Sequence, residues 1–190
     1  LALLESARKA GRLPPEAVEP LCDLATRGRG AAGLELCEEL AAGAAGSARG
    51  ALLARAAELA VDVDARRAEG LATLVAAAAA DAAARARAAL VRGMLASRAM
   101  EEVSLEPPAE RQKRAIKEKM AHFEKAKALH LQAIAQKDPR LAIVGGARIA
   151  LDMASIVSAI RAAPTPPGLA PDAAAAYRAE LEASAMELDE

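Results

Sequence analysis

Alanine, more than any other residue, limits what this chain can become: it fills 55 of the 190 positions, beside one Phe, one Tyr and no Trp. Alanine is the strongest helix former, yet its methyl group buries little area. A fold made from it gains little per side chain and must bring helices into close, repeated contact. The aromatic anchors of a compact α/β core are missing. The expected fold class is all-α, built from antiparallel helical hairpins.

Formal net charge is −1, so no global field draws the chain to nucleic acid or to a membrane. Cys22 and Cys37 are too few for a disulfide framework and lack CxxC spacing. They fall on successive predicted helices, which leaves open a single bridge or two buried thiols, and with them the redox compartment. The chain begins at Leu1 with no signal-peptide pattern and stops on an acidic helical run, as a segment of a longer protein would. Its most apolar stretch, Leu141 to Ile160, carries Arg148 and Asp152 four residues apart, spaced to pair across one turn. That stretch is expected to be a buried helix rather than a membrane span.

In chain order, helices are expected at 1–10 and 15–27, with a bend or a delayed start at Pro20, then at 31–42 and 51–61 with Ser47 as a cap. Asp62 or Asp64 caps a helix over 66–80 with Leu71, Leu74 and Val75 inward, and Asp81 caps another running to about Met100. Leu105-Glu106-Pro107-Pro108 breaks the pattern and divides the chain into 1–106 and 107–190. A long basic helix follows over 109–137, then a turn at Asp138-Pro139-Arg140, with Asp138 as N-cap and Pro139 at the first helical position. Gly145 and Gly146 are expected to let two helices touch. Residues 164–171 form a Pro-rich loop, and the last helix starts at Asp172.

Helix starts near 15, 31, 47, 65 and 81 place every second start 32 to 34 residues apart, the period of helix–turn–helix repeats. Ala126, His130, Ala133 and Pro139 occupy the places of the small residue, aromatic, Ala and Pro that close a tetratricopeptide repeat. His replaces the aromatic, and Pro comes one residue late. Ile149, Ala150 and Met153 stand where the next repeat has Leu, Gly and Tyr. Over 117–190 the chain resembles a degenerate tetratricopeptide-repeat (TPR-like) protein. The stretches from Phe123, Pro139 and Ala147, and Pro164 to Pro171 before Tyr177, are similar to large bacterial cell-envelope repeat proteins, some of gliding-motility machinery. The resemblance implies a right-handed α-solenoid and a non-catalytic protein-interaction scaffold whose concave surface holds a partner peptide or helix. It favours the bacterial periplasm or cell envelope, while composition alone leaves a cytoplasmic chain open.

Candidate chemistry is sparse. His122 and His130 lie eight residues apart on one helix, separated by about 12 Å of rise, whereas a helical metal pair needs a spacing of three or four. No metal, cofactor or catalytic residue is expected, since neither the serines nor Gly145-Gly146 sit in a nucleophile elbow or phosphate loop, and the chain reads as not an enzyme. Arg111, Lys113, Arg114, Lys117, Lys119, Lys125, Lys127 and Lys137 outnumber Glu110, Glu118 and Glu124 on the long helix. That helix is either a solvated face or a surface for an acidic protein or lipid head groups; without aromatic stacking it argues against nucleic acid. Lys127, His130 and Arg148 are the candidate partner-binding residues, because they interrupt otherwise apolar stripes. The alternative is a purely structural helical-bundle segment of a larger protein. Partner identity and oligomeric state are left open.

Overall fold

The computed structural model describes residues 20, 22, 30–78 and 80–189. The helices expected at 1–10 and 15–27 lie almost wholly outside them. Among the described residues there are seven helices and no strand: α1 (Gly30–Gly43), α2 (Gly46–Ala60), α3 (Ala65–Ala77), α4 (Ala82–Glu102), α5 (Ala109–Ile134), α6 (Pro139–Ala162) and α7 (Pro171–Asp189). The all-α expectation holds. The chain forms two compact units, one of residues 1–92 and 132–142 and the other of 93–131 and 143–190.

In the first unit α1 packs on α2 and α2 on α3. Ala54, Ala56, Ala57 and Ala60 of α2 are fully buried, so small side chains let neighbours close around this helix. At Gly50 a Cβ would lie 2.6 Å from the Cβ of Ala80 and 2.9 Å from its Cα, so backbone meets backbone there. Asp64 caps α3 by accepting from the Arg66 and Arg67 amides, and Asp81 caps α4 by accepting from the Ala84 amide at 2.8 Å. Ser47 is no cap: α2 already begins at Gly46, after Ala45, whose side chain bonds nothing. Leu74, expected inward, is 49% exposed, because only Ala68, Leu71, Ala72 and Val75 of α3 face the interior. Cys22 and Cys37 form a disulfide with a Cα–Cα distance of 5.3 Å.

The turn from α5 to α6 also belongs to this unit. Asp138 caps α6 by accepting from the amides of Arg140 and Leu141 at 2.8 and 3.3 Å, with Pro139 at the first helical position. Lys137 just before it has φ of 59°, a left-handed conformation that glycine takes more readily.

The second unit has a core of Met100, Leu105, Phe123, Ile156, Val157, Ile160, Leu181 and smaller residues. The chain's one Phe is thus spent at its centre, 1% exposed. The Pro107–Pro108 bond is cis. The loop containing it, expected as a boundary, lies inside this unit, with Leu105 as a core residue. Gln112, fully buried, fastens three segments. Its amide donates to the carbonyls of Leu105 and Pro164 at 3.0 and 2.7 Å, and its carbonyl accepts from the Tyr177 hydroxyl.

Candidate functional site

Two features of the second unit remain once packing is accounted for: a polar cluster inside it and an apolar face outside it. The cluster begins with α4, which places Gly93 and Ser97 one turn apart on one face. Ser97 Oγ lies 2.6 Å from Asp152 Oδ2 on α6 and 3.1 Å from the Gly93 carbonyl oxygen one turn back. From α5, His130 brings its Nε2 to 3.8 Å from the same Asp152 oxygen, too far for a hydrogen bond. Neither ring nitrogen of His130 has a hydrogen-bond partner, and the residue is 0% exposed.

Gly93 makes room for the ring. A Cβ at position 93 would stand 2.4 Å from His130 Cε1 and 2.6 Å from Nδ1. Burial pushes the imidazole below its ordinary range; the Asp152 carboxylate pulls the other way, and the nearby Arg148 guanidinium adds to the depression.

Ser, His and Asp together call for a test against nucleophilic catalysis. A working triad sets the imidazole between hydroxyl and carboxylate, so that the ring can take the hydroxyl proton. Here the carboxylate sits in the middle, the hydroxyl hydrogen-bonds it directly, and the ring touches neither within bonding distance. All three side chains are buried, so no substrate reaches Oγ. The cluster joins α4, α5 and α6, and its order differs from that of a triad. Among the described residues no three His, Cys, Asp or Glu side chains gather in a way that could hold a metal ion.

The outer feature is α6 itself. It is long and apolar enough to cross a membrane by length and composition, yet only 28% of its most apolar window is buried. This corrects the expectation of a buried helix. Ile143 and Leu151 are 73% and 62% exposed, and Val144, Ala147, Ala150 and Ala154 lie on the same outward stripe. The inward stripe carries Ile149, Asp152, Met153, Ile156 and Ile160. Asp152 does not serve Arg148 as the four-residue spacing implied; it accepts from Ser97. Gly146 faces open space and makes no close helix contact. Gly145 is buried, and close approaches of the same kind occur at Gly50 and Gly93.

The three residues expected to face a partner part company. Lys127 is half-exposed, pairs with Glu124 at 3.6 Å and lies 5.6 Å from the Phe123 ring centroid. Arg148 is half-buried beside the cluster. His130 presents nothing to the surface, a correction that follows from its ring packing on Gly93. Lys119 leaves the basic face too: it is buried, donates to the Met100 carbonyl at 2.7 Å near the end of α4, and is held below the usual lysine range by that burial, against the pull of Glu101. Ser97, Gly93 and Gln112 carried no mark in the sequence, because each acts on residues far along the chain. Compared with known proteins, the chain matches no family model, no curated protein and no solved structure.

Proposed function

We propose that this chain is a non-catalytic protein-interaction scaffold of stacked, TPR-like helical hairpins, and that the outward stripe of α6 docks a helix or peptide of its partner. The observation that carries this reading is the exposed apolar stripe from Ile143 to Ala154 on a helix whose other face is anchored in a core. Contiguous exposed apolar surface of that kind marks interaction sites. Its alanines at 147, 150 and 154 leave room for a partner backbone to approach, while Ile143 and Leu151 offer larger contacts. The starts of α1 and α3, and of α2 and α4, are 35 and 36 residues apart, near the 34 of a tetratricopeptide repeat. That spacing supports the repeat reading for the first four helices; the longer α5 and α6 depart from it. The Cys22–Cys37 bond supports an oxidising compartment such as a periplasm or cell surface.

The test is a photo-reactive amino acid placed at Ala147 and activated in the native cell. The expected product is an adduct with a second polypeptide, lost when Leu151→Asp is added. Leu151 is 62% exposed, so that change should leave stability within about 0.5 kcal/mol, checked by circular dichroism. Adducts only to lipid, or only within the parent chain, would overturn the reading in favour of a membrane-facing or purely structural helix.

A further inference from the structure

We infer that the His130–Asp152–Ser97 cluster is an acid-sensitive latch: protonation of His130 releases the packing of α6 against α4 and α5 within the second unit. The latch is independent of what α6 binds.

The latch rests on a mismatch in the geometry. With the imidazole neutral, the buried Asp152 carboxylate is held by Ser97, and the ring fills the space that Gly93 leaves. Its two nitrogens go without partners, at the desolvation cost of a neutral polar group. With the imidazole protonated, the same site would hold a cation 3.8 Å from the Asp152 carboxylate, beyond hydrogen-bond reach. The ring cannot swing toward Asp152 freely, because the Gly93 backbone and the full burial of the residue enclose it.

The titratable groups facing the ring are Asp152 and Arg148, both from α6; α4 presents Gly93 and Ser97. Asp152 favours the proton, but Arg148 and burial oppose it, and burial is the largest influence. The proton therefore binds better once α6 has moved away and water reaches the imidazole. In that open form the ring recovers its ordinary affinity, with a pKa of about 6.5. The closed form is fully favoured above that pH. Below it, the open form gains on the closed form by up to about tenfold per pH unit, until the closed-state pKa is reached.

Hydrogen exchange of the α6 amides at pH 7.5 and 5.5, corrected for intrinsic rates, reads the opening directly. The expected result is up to about tenfold loss of protection over residues 145–157 at the lower pH. Removing the titrating ring in His130→Asn should make protection independent of pH over that interval. Asp152→Asn distinguishes the two acids: the pH effect should persist without the carboxylate, which favours the proton on His130. Loss of the effect in Asp152→Asn, or its survival in His130→Asn, would overturn the latch. Should either variant fail to fold, proton NMR of the unmodified protein still decides, because the chain has two histidines and the His130 signals can be assigned. A native His130 pKa at or above the ordinary value refutes the proposal; one below it supports it.

Discussion

Replacing Gly93 with Ala should destabilise the protein, although helix propensity alone predicts the opposite. Glycine inside a helix is worse than alanine by about 1 kcal/mol, so an open site would gain that amount. Position 93 is not open: the new methyl would sit 2.4 Å from His130 Cε1 and 3.0 Å from Nε2. Ordinary contact between carbons begins near 3.5 Å, to use a rough figure. The ring has no solvent to move into, since His130 is 0% exposed. Overpacking of a closed site costs about 1–3 kcal/mol, and a contact this short belongs at the upper end. The net loss is then about 2 kcal/mol, a fall in melting temperature of about 4–8 °C for a chain of this size. Thermal melts of four proteins make the argument a cycle: unmodified, Gly93→Ala, His130→Ala and the double variant. In the His130→Ala background the methyl has room, so Gly93→Ala should turn stabilising by up to about 1 kcal/mol, a coupling of about 3 kcal/mol. A raised melting temperature for Gly93→Ala alone, or the same sign in both backgrounds, would refute the geometry.

Gln112→Leu should cost about 2–4 kcal/mol, because it leaves two carbonyls and the Tyr177 hydroxyl unpaired in one place; urea unfolding followed by circular dichroism measures it. Cys22→Ala, or a reducing agent on the unmodified protein, should lose about 3 kcal/mol, the closure entropy of a bond spanning 15 residues; identical denaturation curves with and without reductant would contradict the bond. Lys137→Gly should raise stability by up to about 1 kcal/mol by relieving a left-handed lysine, and a lowered melting point would show that the lysine side chain contributes there.

Short-range chemistry was legible in the sequence because its partners are neighbours. Asp64, Asp81 and Asp138 cap helices through amides two or three residues on, which spacing alone reveals. The stripe on α6 was legible too, but its direction was not. Periodicity says that Ile143, Ala147 and Leu151 share a face and is silent on whether another helix covers it. The same limit put His130 on a partner surface and Lys119 on a solvated one. Both are ordinary interruptions of a helical pattern until α4 is seen to bring Gly93 to the imidazole and the Met100 carbonyl to the ammonium.

Composition and local pattern thus determined that the described residues are helical, where most of those helices begin, and that α2 is packed through its alanines. Backbone propensity and capping act within a few residues, so a linear string contains them whole. Only the tertiary structure decided which polar groups are buried. Ser97, His130 and Asp152 come from three helices, and their meeting depends on the relative placement of those helices within one unit. A side chain's solvation, and with it its charge and its role, is a property of the space around it, which no single helix specifies.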